Sequence, residues 1–361
     1  MMVNLITGFI DAGVKVDLLL VKQRSPHLDT LPEEVNIVRL GSEHTLLCLW
    51  PLIQYLRCHR PQALLVAKDR ANKVAILARW LAGTSTRLVV RLGTTLSGAL
   101  QGRSRLKRWV WYASQRRFYP WADAIVAVSH GVAEDTARIT GLSVAGIYVI
   151  PNPVVTAALL RRAAEPLDHP WFQPEGAPVI VAAGRLTQQK DFASLILAFD
   201  KVSAEIDCRL VILGEGNLRG QLEALVAKLG LEGRVMLPGF AQNLASFLSR
   251  ATLFVLSSRW EGSPNVLTEA LALGVPVVAT DCPSGPREIL QDGKFGPLVS
   301  VGDVPALAQA ILKTLRQPLD SVVLQGASKD YNIKNSVSKY LELLELKPCK
   351  QGECVEPPVD K

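Results

Sequence analysis

Short, predominantly apolar runs recur through the second half of the chain, at Val179–Ala183, Arg209–Leu213, Arg234–Leu237, Thr252–Leu256 and Val275–Ala279. Runs of this length and uniformity suit strands buried on both faces. Helical spacing follows them at Phe192–Glu205, Leu218–Leu229, Leu244–Leu248 and Pro264–Leu273. Strands that alternate with helices are joined by crossovers, and crossovers build parallel sheets covered on both sides. The expected class is therefore α/β, with a doubly wound parallel sheet. The first half alternates similarly, with runs at Val16–Val21, Asn36–Leu40, Ala63–Ala67, Arg87–Leu92 and Ala124–Val128. At 361 residues the chain exceeds one ordinary core, so two such domains are expected. The stretch from Ala164 to Ala177, rich in proline, glycine and charge, reads as the linker.

The chemistry concentrates between Ser257 and Glu288. Glu261 and Glu269 stand seven residues apart with Ser263 and Pro264 between them. Ser263 suits a helix N-cap, Pro264 the first helical position, and Gly274 the helix end. One carboxylate then sits in a loop after a strand and the other two turns into a helix, with the helix N-terminus between. In a parallel sheet such a loop opens at the carboxyl ends of the strands, where helix N–H groups attract phosphate. A carboxylate beyond the phosphates can hold ribose or sugar hydroxyls, so the spacing suits a nucleotide-sugar. Glu269 is the sole charge of the apolar stretch LTEALALG and wants a partner. Upstream, Gly184 to Asp191 follows a strand and precedes a helix, with Asp191 the expected N-cap. Its two cations, Arg185 and Lys190, suit a diphosphate, and fixed cations stabilise a departing phosphate without a metal. Alone they would read as solvated side chains; the glutamate pair in the neighbouring units favours function.

Glu261 to Glu269, followed by DCPSGPREIL and later by GPLVSVGD, resembles the paired-glutamate motif of retaining glycosyltransferases of the GT-B fold, specifically family 4 (glycosyl transferases group 1). The likeness covers roughly residues 120 to 340 closely and the earlier part more loosely. It implies two facing Rossmann-like domains: an acceptor-side domain over residues 1–155 and a nucleotide-sugar domain over 175–330. Pro151-Asn152-Pro153 would be the hinge, and a helix within 331–346 would return to the first domain, ahead of a disordered tail at 347–361. Arg185 and Lys190 would then bind the diphosphate, and Glu261 would face the donor sugar beside the backbone of Asn265, Val266 and Leu267. Glu269 would bind ribose, with Gly184, Gly214, Glu215, Pro238, Gly239 and Ser263 lining the nucleotide. The implied reaction moves a hexose or N-acetylhexosamine, with UDP the expected nucleotide, onto a hydroxyl of a lipid-linked or polysaccharide acceptor with retention. No cofactor and no metal is expected.

Two departures from the family stand out. Relatives carry a histidine after the strand corresponding to Arg87–Leu92, where this chain has Gly93-Thr94-Thr95, so no general base is assigned. Relatives also begin with a strand and a Gly-rich loop, whereas this chain opens on the helical spacing of Val3 to Ile10. The first domain is thus expected to lack its first strand, either through a start codon placed too late, the favoured reading, or through a genuine truncation. Rival readings are a nucleotide-sugar epimerase of the same fold, which would need a cleft histidine, and an inactive nucleotide-binding remnant.

Charge is placed unevenly. Residues 1–165 carry a net of +10 and residues 166–361 a net of −3; between Arg57 and Arg117 fourteen bases face one acid, Asp69. Such a surface favours anionic lipid, polyphosphate or nucleic acid, and no nucleic-acid motif accompanies it. The segment from Arg103 to Tyr119 adds Trp109, Trp111, Tyr112, Phe118 and Tyr119 to its bases. It reads equally as an interfacial membrane helix or as an ordinary amphipathic helix with its aromatics in the core. The start shows no basic region ahead of an apolar run, and the cysteines show no zinc or redox spacing. A cytoplasmic protein at the inner face of the membrane is the expectation.

Overall fold

The structure, a computed structural model, describes residues 1–21, 28–41, 44–173 and 175–347; the expected tail, Lys347 apart, lies outside the described residues. The chain divides into two units. One comprises Met1–Val128, Val132–Pro153 and the chain from Ile333 onward, the other Ser129–Gly131 and Val154–Asn332.

The first unit holds strands β1 (Asp17–Leu20), β2 (Asn36–Arg39), β3 (Ala63–Ala67), β4 (Arg87–Leu92), β5 (Ala124–Ala127) and β6 (Ile147–Val149). All pairings are parallel, in a four-stranded sheet β3-β4-β5-β6 and a separate pair β1-β2. Among the described residues no strand joins β1 to β3, so the strands of this unit form two separate sheets. Among the described residues β3 pairs only with β4, and each of its residues is half-buried, the condition of an edge strand. Alternate residues of β4 and β5 serve opposite cores. Leu88, Val90, Ile125 and Ala127 pack with helices Leu49–His59 and Asp69–Ala82, while Val89 and Val126 pack with helices Met2–Asp11 and Ile333–Leu344. Phe9 and Tyr340 join those last two helices edge-on, ring centroids 6.3 Å apart.

The second unit is a single parallel sheet of β7 (Val179–Ala183), β8 (Arg209–Leu213), β9 (Val235–Gly239), β10 (Leu253–Leu256), β11 (Val277–Thr280) and β12 (Leu298–Val299), in the order β12-β11-β10-β7-β8-β9. Ile180 and Ala182 face the core under helices Phe192–Ser203 and Val304–Arg316; Val179, Val181 and Ala183 face the opposite core with Leu267 and Leu271. From β7 the chain builds outward through β8 and β9, then returns to lay β10, β11 and β12 on β7's other side. The loops leaving β7 and β10 therefore diverge from adjacent strand ends. Such a switch point leaves a crevice at the carboxyl edge of an open α/β sheet, where ligands bind.

Candidate active site

Backbone conformation shapes the loop after β7. Gly184 has φ +155°, and a Cβ there would come within 2.8 Å of Lys190 Cε, so the Lys190 stem lies across the bare glycine. At the end of β8, Gly214 has φ +142°, and a Cβ would fall 1.9 Å from the Gly184 carbonyl oxygen. These two loops touch backbone to backbone. Leu186 N–H donates to Glu215 O (2.9 Å) and Leu218 N–H to Leu186 O (3.1 Å), fixing their separation.

The loops after β7 and β10 are tied more tightly still. Lys190 Nζ lies 2.6 Å from Glu261 Oε1, and Ser258 Oγ donates to the same oxygen at 2.7 Å. Ser257 Oγ donates to Lys190 O (2.7 Å), the Gln189 amide to Trp260 O (2.9 Å), and Arg259 N–H to Gln189 O (2.7 Å). Glu261 is 7% exposed, and among the described residues both of its side-chain bonds fall on Oε1 and none on Oε2. Arg185, by contrast, is exposed and makes no ion pair among the described residues. Lys190 and Glu261 are thus brought into contact, and Arg185 stands in the same loop as Lys190.

The second carboxylate sits in helix Asn265–Ala272. The Glu269 side chain makes no hydrogen bond or ion pair among the described residues. Burial raises its pKa, an effect that the charge of Arg162 partly offsets. The expected cap is corrected here: Pro264, extended at ψ 99°, is the boundary residue, the helix starts at Asn265, and no side chain, Ser263 included, caps it. Asp191 likewise bounds helix Phe192–Ser203 without capping it; its carboxylate lies 3.6 Å from Arg259. Leu267 N–H turns back to Pro264 O at 3.1 Å, so what this N-terminus offers an anion is the partial positive charge of its helix. Leu267 is fully buried and Val266 half-buried, so their contribution to a ligand would be backbone.

The remaining expected residues divide. Gly239 is buried, and its carbonyl accepts Gly214 N–H at 2.8 Å, which ties the end of β9 to that of β8. Pro238 is exposed within β9. Glu215 is held by Arg219, whose Nε and Nη2 reach its two oxygens at 2.9 and 2.8 Å, and that pairing lowers its pKa. Its carboxylate braces the loop. Arg287 pairs with Asp281 and Asp292, which lie before and after its own helix Pro286–Ile289. Two groups escaped sequence reasoning. Ser258 and Gln189 hold Glu261 and its loop through contacts spanning 3 and 71 residues, and neither lies in a pattern that would flag it. Cys282 is also buried here, its thiol pushed up to about 12 by burial and by the Glu261 charge.

Residues 177–317 match the model of the family "Glycosyl transferases group 1", and residues 1–158 match "Glycosyltransferase Family 4". The chain is 31% identical over 254 residues to the lipopolysaccharide core biosynthesis glycosyltransferase LpsE of Rhizobium meliloti, covering 69% of this chain and 72% of that protein. It is 34% identical over 247 residues to the N-acetylgalactosamine-N,N'-diacetylbacillosaminyl-diphospho-undecaprenol 4-alpha-N-acetylgalactosaminyltransferase of Campylobacter jejuni; that match spans 68% of this chain and 65% of the relative. Among solved structures, Anabaena HepE in complex with UDP and glucose superposes with a TM-score of 0.73 at 19% identity, over 95% of each chain. A glycosyltransferase from Rickettsia africae superposes at 0.77 and 16% identity, over 95% of this chain and 92% of that one. At such identities the likeness concerns the fold, which is GT-B.

Proposed function

This chain belongs to the group 1, family 4 glycosyltransferases, and we propose that it transfers a hexose or N-acetylhexosamine from a UDP-sugar, releasing UDP, to a hydroxyl of a lipid-linked or polysaccharide acceptor, with retention. The observation that carries the proposal is the Lys190–Glu261 contact at the switch point of the second sheet. UDP as the nucleotide is supported by HepE, solved with UDP and glucose. The acceptor class is supported by the names of the Campylobacter and Rhizobium relatives.

In this reading the diphosphate lies over the loop after β7, where Arg185 and Lys190 neutralise it and the N-terminus of helix Asn265–Ala272 adds its partial positive charge. Glu269 accepts from ribose hydroxyls, a role that gives its half-buried carboxylate hydrogen-bond partners. Glu261 Oε2 accepts from a hydroxyl of the donor sugar. As the glycosidic bond to phosphate breaks, negative charge grows on the leaving oxygen, and the two cations hold it. That oxygen takes the proton of the incoming acceptor hydroxyl on the same face, so the step calls on no protein base and no metal.

A thermal-shift screen of nucleotide-sugars, followed by NMR of the product's anomeric centre, tests the proposal. Stabilisation by a UDP-sugar and an α-linked product from an α-donor are expected. Inversion at the anomeric carbon, or conversion of the donor without acceptor as an epimerase would achieve, would overturn it.

A further inference from the structure

The segment from Gln101 to Val110 is exposed at every residue. It includes the first half of helix Arg105–Phe118, where Leu106, Trp109 and Val110 are 71%, 67% and 54% exposed. Their i, i+3, i+4 spacing sets them on one helix face. Arg103, Arg105, Lys107 and Arg108 surround them, and the segment holds no acid. The helix's second half is anchored. Lys73 Nζ sits 3.9 Å from the Trp111 ring centre and donates to Ser114 Oγ, while Tyr119 is buried with its hydroxyl on Asp69. Of the two readings of this segment, the core one suits Tyr119 and fails for Trp109.

Helix Asp69–Ala82, against which this helix packs, also packs against helix Leu49–His59 and the turn Thr45–Cys48. There Leu46, Leu47 and Trp50 project into solvent beside Leu81, lining a groove of about 410 Å³ with Arg57 at its wall. Among the described residues no helix is long and apolar enough to cross a membrane.

We propose that this helical face of the first unit docks on the surface of a bilayer containing anionic phospholipid. Leu106, Trp109 and Val110 seat at the acyl-chain boundary, and the flanking arginines and lysines meet lipid phosphates. Charge complementarity selects this occupant: protein interfaces deplete lysine and charge at their centres, whereas a basic rim around tryptophan and leucine matches a headgroup layer. The proposal uses residues of the first unit alone and is independent of the transfer reaction, since docking is measured without any donor.

The test floats the full chain with phosphatidylcholine vesicles, with and without phosphatidylglycerol, at low and high salt. Binding only to the anionic vesicles, weakened by salt, is expected. The triple variants Leu106→Ser/Trp109→Ser/Val110→Ser and Arg105→Glu/Lys107→Glu/Arg108→Glu should each lower partitioning by about tenfold or more. All six positions are exposed, so circular-dichroism melting should be unchanged. Should a triple variant fail to fold, Trp109→Phe serves instead: brominated lipid should quench wild-type fluorescence more than that of the variant. Equal binding to neutral and anionic vesicles, no flotation, unaltered flotation of folded variants, equal quenching, or self-association through this face without vesicle binding would each overturn the proposal.

Discussion

Lys190 Nζ stands 2.6 Å from Glu261 Oε1, so an ion pair closes the fork between β7 and β10 where the strand order of the second sheet reverses. Its partners are 15% and 9% exposed at the side chain. In the unliganded chain each neutralises the other; a diphosphate would offer Lys190 a second anion, and a sugar hydroxyl would offer Glu261 a second donor group.

Removing either partner strands a largely buried charge. Lys190→Ala and Glu261→Ala should each destabilise the chain by about 3 kcal/mol, and the double variant should lose clearly less than their sum. Urea unfolding measures all three. Strict additivity would mean the contact contributes nothing.

Burial lifts the Glu269 carboxyl above its ordinary 4.5. The folded chain then holds this proton more tightly than the unfolded chain does, so stability falls as pH rises from 4.5 through the folded value. Glu269→Gln abolishes that loss. It should match the wild type in stability below the unfolded value and exceed it at neutral pH, while binding nucleotide more weakly. Thermal melts across pH check this, and parallel curves would refute it.

Gly214→Ala places a methyl group 1.9 Å from the Gly184 carbonyl oxygen, at a φ that side chains avoid. Both neighbours are backbone, so the loops after β7 and β8 must separate. A loss of about 2–4 kcal/mol is expected, with nucleotide affinity falling alongside. Gly220→Ala, in helix Arg219–Lys228 where a Cβ meets nothing within 4 Å, is the control and should cost nothing or gain up to about 1 kcal/mol.

Thiol reactivity follows burial. Burial pushes Cys208 up to about 11 and Cys282 up to about 12, while Cys58 is exposed. Peptide-resolved alkylation at neutral pH should label Cys58 within minutes and spare Cys208 and Cys282 until denaturant is added. Fast labelling of Cys282 in the folded chain would show that the fork opens readily.

Much of this was legible in advance because it is periodic. β3, β4, β7 and β8 lie where continuous apolar runs placed them, since strands buried on both faces leave no other pattern. β12, two residues long, is too short to leave a signature, and the start of helix Asn265–Ala272 moved because Pro264 stays extended. The Glu261 and Glu269 spacing pointed to the loop after β10 and the helix that follows it. What the spacing could not show is that Glu215 is held by Arg219, or that Ser258 shares Glu261 Oε1 with Lys190, because such pairings are decided by side-chain geometry after the loops are laid down. Trp109 was equally illegible: its neighbour in space, not its composition, decides whether an aromatic is core.

The most direct measurement is calorimetric titration of UDP into the wild type and into Arg185→Ala. Arg185 is exposed and makes no ion pair among the described residues, so its removal leaves the fold and the Lys190–Glu261 pair intact. A diphosphate seated over the loop after β7 predicts that UDP binds the wild type and binds the variant at least about tenfold more weakly. Equal affinity for both proteins would contradict the placement of the nucleotide, and with it the assignment of the site.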